Sequence, residues 1–259
     1  MKLKLMKNSK PKDLYTAKNI EVVLDNDFAK GEFSRKFTTL ELKLMYLLIS
    51  QSKKGDNTFY GYRATFKELS EALDMNKTQL YDSIGDLELE ELCVRIRGLD
   101  SEEFRKRKNR RRKDGIPVFS RVTLVSDEDN DASYVEFKLN RELKPFVLNL
   151  KGNFVKYGFV YVKTMKKKHS IRLQTFLAEE LKGRKEVEVS MKLNDMKRLL
   201  GVPLKGCSYD SFGMFNDRVL KPTVKEINSK SFFTVDMGFM KKQGTKSVES
   251  ILMYVRRDS

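Results

Sequence analysis

Histidine is nearly absent from this chain of 259 residues: His169 is the only one. No site that needs two histidines can be built from it. Cysteine appears twice, as Cys93 and Cys207, which excludes a disulfide scaffold and a cysteine-based zinc site. Tryptophan is missing altogether. No strongly amphipathic basic helix with an exposed aromatic is visible either, so a membrane-surface role finds no support. Long apolar runs are also missing. Charge interrupts each of them well before the roughly 18 residues that a membrane span needs. The first residues, Met1 to Lys7, hold no apolar stretch of signal-peptide length, and a cytoplasmic location is expected.

What is abundant is positive charge. There are 52 Lys+Arg against 36 Asp+Glu, a formal net charge of +16, while a hydrophobic content of 40% argues against wholesale disorder. The surplus is uneven. Residues 1–150 carry 29 basic and 25 acidic side chains; residues 151–259 carry 23 and 11. A surplus of this size implies a polyanionic partner, with nucleic acid ahead of an anionic membrane.

Apolar spacing organises the chain into two similar halves. Residues 1–35 read as a polar, irregular arm, with Pro11 breaking any early helix. A helix starts near Thr38 or Thr39, with Glu41 in its first turn and Leu40, Leu44, Leu47 and Leu48 on its apolar face. A short strand follows at 58–62. Then comes a helix over 66–73, with Thr65 and Glu68 at the capping-box spacing, a turn at Met75-Asn76, and a helix with Leu80, Ile84 and Leu87 on one face. Alternating segments at 93–97, 118–125 and 134–139 read as strands. Helix, strand, short helix, turn, second helix and β-ribbon is the order of a winged helix-turn-helix.

The order returns: a helix at 170–181, a strand at 187–191, a short helix at 193–200, a longer helix near 209–228, and a closing ribbon around Gly244. At a shift of about 127 residues, Phe66, Leu69, Ala72, Leu73 and Met75 match Leu193, Met196, Leu199, Leu200 and Val202. The predicted fold is therefore α+β: two tandem winged helix-turn-helix domains related by internal duplication. The expected parts are an arm (1–35), a first domain (36–150), a linker (151–168) and a second domain (169–259).

The inventory of reactive groups is poor, and no cofactor or metal is expected. Gly201 and Gly206 have the spacing of a phosphate loop, but Cys207-Ser208 follows where Lys-Ser/Thr is needed; a helix-ending glycine and a turn explain the pair better. Rolling-circle nickases pair two histidines on a metal beside a tyrosine, which His169 alone cannot do. His169 reads as a solvated or capping residue. The acidic cluster Asp127-Glu128-Asp129 with Asp131 falls on a hairpin loop and reads as a solvated turn rather than a cation site. The chain reads as a non-enzymatic binding protein.

Two features suit nucleic acid. Arg105, Lys106, Arg107, Lys108, Arg110, Arg111, Arg112 and Lys113 put eight basic residues in nine positions between two strands. The functional reading is a wing contacting phosphates, a sequence-independent and salt-sensitive interaction. The plain reading is a solvated loop shielded by Asp127–Asp131. The second feature is the helix near 209–228. Phased at 100° per residue, Phe212, Phe215, Val219, Thr223 and Ile227 fall on one face; Ser211, Met214, Arg218, Lys221 and Lys225 fall on the other, with Asp217 among them. A recognition helix reads base edges from its N-terminal part. Ser211, Met214 and Arg218 are thus the base-edge candidates, Arg218 for guanine and Met214 for a thymine methyl. Lys221, Lys225 and the run Lys166, Lys167, Lys168 are the phosphate candidates. An ordinary amphipathic helix with a wet face remains the alternative. The matching first-half helix shows Thr78, Gln79, Asp82 and Asp86, which makes that half the weaker base reader and the better protein interface.

Three stretches resemble the initiator replication proteins of iteron-type plasmids. Leu143-Lys-Pro-Phe-Val-Leu-Asn-Leu150 with Phe154-x-x-Tyr157 is similar to the end of that family's first domain. Met165-Lys-x-Lys-His-Ser-Ile-Arg-Leu173, followed by Phe176-Leu177, is similar to the start of its central helix. Phe215-x-x-Arg218-Val-Leu-Lys-Pro-x-Val-Lys-Glu-Ile-Asn228 is similar to its second-domain recognition helix and is the most specific of the three. Gln174 stands where the family usually has Tyr, and Lys168-His169 where it has Lys-Tyr. The resemblance spans roughly residues 38–255. It implies a bacterial protein that binds double-stranded origin DNA at repeated sites, with the second domain as chief reader. It also implies dimers, joined through the first domain, that repress the initiator's own gene, and recruitment of the host replicative helicase and host initiator. The alternative is a winged-helix transcriptional repressor with no replication role.

Overall fold

A capping box opens the first long helix, Thr39–Ser50: the Thr38 and Glu41 side chains satisfy each other's backbone end. This helix is buried on almost every face, Lys43 included, whose Nζ donates to the Leu73 carbonyl at 2.9 Å. The structure is a computed structural model that describes residues 12–13, 20–34, 37–53, 55–87, 89–96, 115–125, 134–245 and 247–258.

The strand Gly61–Thr65 runs directly into the helix Phe66–Leu73, whose capping box is Thr65 with Glu68. It begins three residues later than the spacing alone suggests, because Tyr62 and Ala64 are the residues that face the core, opposite Phe137 and Val135. Asp74 ends the helix in the left-handed region (φ +52°), and Asn76 caps the next helix, Lys77–Gly85. The strands Phe119–Val125 and Tyr134–Leu139 form the ribbon, so the sheet order is 61–65, 134–139, 119–125, with Lys12–Asp13 on the outer side of 61–65.

The second half repeats this plan. Its strand Glu186–Lys192 runs into the helix Leu193–Leu200, exactly 127 residues after 66–73, and Gly201 ends it in the left-handed region (φ +70°), as Asp74 does in the first half. The sheet order is again first strand, last strand, middle strand: Glu186–Lys192, Val248–Arg257, Phe233–Lys241. The repeated topology is what makes the fold two winged-helix units of α+β type. Among the described residues no helix is long and apolar enough to cross a membrane.

Two segments differ from the sequence reading. Residues 20–33 are not irregular. Glu21–Asp25 is a strand with Val22 and Leu24 buried, followed by a helical turn at Asn26–Ala29 and a short strand at Glu32–Phe33. The partner of Glu21–Asp25 is the strand Phe154–Gly158, over a hundred residues away. That strand, with the helical turn Val160–Lys163 and the buried Met165, also gives the expected linker a structure of its own.

The helix Lys168–Glu180 sits where the two halves meet. It packs against Thr39–Ser50 and Phe154–Gly158 on one side, and against Leu193–Leu200 and the C-terminal part of the 212–230 helix on the other. Its Arg172 is fully buried and donates to the Ser34 carbonyl at 2.7 Å.

Candidate nucleic-acid interface

The helix over 212–230 is built in three pieces. Ser211 caps its start, accepting the N–H of Met214 at 3.3 Å. Phe212–Phe215 is α-helical, Asn216–Leu220 is a π turn, and Lys221–Lys230 is α-helical again. Pro222 accounts for the π turn. It has no N–H for the carbonyl four residues back, and its ring would strike that carbonyl, so the preceding turn widens. The widening does not scramble the faces. Phe215, Asn216, Val219, Leu220, Thr223, Val224 and Ile227 are buried, while Ser211, Met214, Asp217, Arg218, Lys221 and Lys225 are exposed.

The loop before this helix is tied down from two sides. Lys197, buried in the short helix Leu193–Leu200, donates to the Tyr209 and Asp210 carbonyls at 2.8 and 3.3 Å and lies over the Phe215 ring. The Asp210 carboxylate accepts the backbone N–H groups of Gly206 and Cys207 at 2.9 and 3.2 Å, which holds its pKa below the usual range. Of the glycine pair with phosphate-loop spacing, Gly206 thus has its amide filled by the chain's own carboxylate, and Gly201, whose N–H donates to the Arg198 carbonyl at 3.0 Å, is a helix end. His169 is a capping residue: its Nδ1–H donates to the Leu200 carbonyl at 2.8 Å. Burial pushes its pKa down to about 4, so the ring is neutral near pH 7.

The open face of the 212–230 helix is polar and largely cationic. Arg218 makes no hydrogen bond or ion pair with the described residues and its guanidinium is free to meet a ligand. Lys221 pairs with Asp217 at 2.8 Å, both well exposed, a contact too wet to immobilise either. Asp217 thus sits on the face as a partner of Lys221. Further along, Glu226 draws the run Lys166–Lys168 to the same helix by accepting the backbone N–H groups of Lys166 and Lys167 at 2.8 and 3.2 Å. Lys166 and Lys167 are exposed there, held on Glu226, the residue next to Lys225, and Lys168 is half-buried.

The sequence reading placed a closing ribbon around Gly244 but did not count the lysines of this second-half wing among the site residues. Lys241 and Lys242 are exposed at its root, and a tight turn closes it, with Lys242 N–H donating to the Ser247 carbonyl at 2.9 Å and Gly244 at φ +73°. The signal was present as Lys-Lys-Gln-Gly-Thr-Lys between two alternating strands. The basic run 105–113 and the acidic run 127–131 lie outside the described residues. In the first half, Thr78, Gln79, Asp82 and Asp86 are exposed on Lys77–Gly85, next to an exposed Tyr81 that packs on Phe66. No group of three His, Cys, Asp or Glu that suits a metal occurs among the described residues.

Comparisons with known proteins agree with this geometry. A family model described as Initiator Replication protein, WH1, matches residues 21–178, and one described as Initiator Rep protein, WH2, matches residues 192–255. A curated "Replication initiation protein" of Escherichia coli is 30% identical over 99 residues, which is 38% of this chain and 30% of that protein's length. Among solved structures the chain is similar to the Pi initiator protein in complex with iteron DNA. The TM-score is 0.73 at 15% identity, covering 94% of this chain and 99% of that one. At that identity the likeness is one of fold.

Proposed function

Because the chain belongs to the initiator replication protein family, we propose that it binds repeated sequences of a plasmid origin, iterons, and so starts DNA replication. The observation that carries this reading is the helix over 212–230. Its inner face closes the second-half core, and its outer face is left to Met214, Arg218, Lys221 and Lys225. In this reading the helix lies in the major groove. Ser211, Met214 and Arg218 meet base edges; Lys221, Lys225 and Lys166–Lys168 meet phosphates, as does the basic run 105–113.

The second winged-helix unit is the chief reader, and the first supplies clamping and dimerisation. Two carboxylates, Asp82 and Asp86, on the exposed face of Lys77–Gly85 disfavour that helix as a groove reader. Among the described strands Phe119–Val125 is the edge of its sheet, and it carries an exposed Leu124, which suits pairing with a second copy. A dimer of that kind is the form expected to repress the initiator's own gene. Recruitment of the host helicase and host initiator is part of this proposal, suggested by the family resemblance. The protein acts by binding, without catalysis.

Footprinting on the DNA flanking the gene tests the reading. Protection of tandem direct repeats beside an AT-rich segment is expected. Protection of a palindrome alone would make the chain a transcriptional repressor instead.

A further inference from the structure

The reading helix and the wing meet through two aromatic rings. Phe212 opens the helix, and Phe239 lies on the strand Phe233–Lys241 that runs out to the wing. Their ring centroids are 5.0 Å apart, edge to face at 74°. Strand alternation explains where Phe239 points. Phe233, Val235, Met237 and Phe239 share the face turned toward the helices, opposite Val255, Met253 and Ile251 on the neighbouring strand. Phe233 and Val235 are fully covered. Met237 is partly covered, and Phe239 is 40% exposed although Ile251 opposite it is fully buried. Met214, in the first turn of the helix, is 38% exposed. The surface thus presents Phe239 against the first residue of the helix and Met214 in its first turn, with Arg218 four residues further along the helix and Lys241 and Lys242 next along the strand.

Cations at this place are explained by phosphates; a half-open phenylalanine is not. The apolar group that base pairs present in the major groove is the C5-methyl of thymine. We propose that Phe239 is a second thymine reader, placed by Phe212 at the root of the wing and working beside Met214. This rests on the reading that the 212–230 helix enters the major groove. It assigns the wing strand a part in sequence choice as well as in phosphate contact. Phe212 is a positioning residue in this arrangement, since it fixes the Phe239 ring edge to face.

Selection of duplexes from a random library by the full chain tests it, followed by substitution of deoxyuridine for thymine in the selected site. The unsubstituted chain is expected to select thymine at two positions beside the helix start. Phe239→Ala should lose the preference at one of them and keep the rest of the site, while Met214→Ala should lose the other. Removing the methyl by deoxyuridine at the Phe239 position should weaken the unsubstituted chain about fourfold, the effect of one buried methyl, and leave Phe239→Ala unchanged. Phe239→Leu, which keeps an apolar contact and guards against a misfolded wing, should retain most of the preference. Thymine preference unchanged in Phe239→Ala overturns the proposal. So does equal weakening on every sequence, which would make the ring a prop for the wing. If the unsubstituted chain selects no sequence at all, the reading of the helix falls, and the thymine role with it.

Discussion

The carboxylate of Glu226 accepts the backbone N–H of Lys166 at 2.8 Å, joining the 212–230 helix, the proposed reader, to the segment that enters the central helix Lys168–Glu180. Around it, Lys230 donates to the Thr164 carbonyl at 2.6 Å, and Thr39 donates to the Lys166 carbonyl at 3.2 Å. The first half, the connecting segment and the reading helix are thus pinned at one point. Glu226 is held below its ordinary pKa; burial opposes this, and the bonds from the Lys166 N–H and the Lys230 ammonium help outweigh it. A carboxylate with a lowered folded pKa stabilises the fold above its unfolded value near 4.5, and that contribution is lost as pH falls through the folded value. Glu226→Gln should therefore cost about 1–3 kcal/mol at pH 7. Urea unfolding of both chains should show the difference at pH 7 and its decline as pH falls below 4.5 toward the folded value. A difference that persists at acid pH would mean that shape, not charge, makes the joint.

His169 gives a second and separate pH window. Its pKa falls from 6.5 to about 4, with burial as the main cause, the Leu200 hydrogen bond opposing, and Lys168 and Arg172 adding to the fall. The unfolded chain thus takes up a proton at higher pH than the folded one. The stabilisation is complete above pH 6.5 and is lost as pH drops through 4. Its size is on the order of 3 kcal/mol. Thermal melts between pH 7 and pH 4 should slope downward in the natural chain. His169→Asn should be less stable at pH 7 and much flatter across that range.

Arg218→Ala tests the reading face directly. A bidentate guanine contact predicts a loss of about 1–3 kcal/mol in specific binding and a relaxed preference at one base pair. Binding to the selected site and to its single-base variants measures both. Equal loss on all sequences would place Arg218 on a phosphate.

The basic run 105–113 is a matter of salt. If its side chains neutralise phosphates, each contact removed should lower the slope of log K against log salt by about 0.9. Replacing Arg110, Arg111 and Arg112 with Gln, then titrating at several salt concentrations, should flatten the slope by up to about 3. An unchanged slope returns the run to a solvated loop.

Local signals carried much of this structure in the sequence. The Thr65–Glu68 box forms where the spacing placed it, and of the two caps open at the first long helix Thr38 is the one used, boxed with Glu41, since capping is settled within four residues. The split of the 212–230 helix into faces also held, because a core stripe constrains side chains whatever the exact turn. What was not legible depends on distant partners. Val22 and Leu24 look unremarkable until Phe154–Gly158 lies beside them. No local pattern marks Lys197, yet it is buried under the Tyr209 and Asp210 carbonyls. Nothing local marks Phe239; its half-open contact with Phe212 appears only once strand and helix are packed together.

The two left-handed residues 127 positions apart give the sharpest test of the duplication at the level of energy. Gly201 and Asp74 end equivalent helices, at φ +70° and +52°. For a residue with a Cβ that conformation costs roughly 1–2 kcal/mol. At Gly201 a Cβ would also fall on the buried Arg172 guanidinium, which has no room to retreat. Gly201→Ala should therefore destabilise by more than the backbone term. Gly201→Asn, which tolerates the left-handed region, should recover little, because the clash remains. At the first-half counterpart the sign reverses: Asp74→Gly relieves the strain and should gain up to about 1 kcal/mol. Urea unfolding of the three variants decides it. If Gly201→Asn is as stable as the natural chain, Arg172 moves freely and the glycine serves the turn alone.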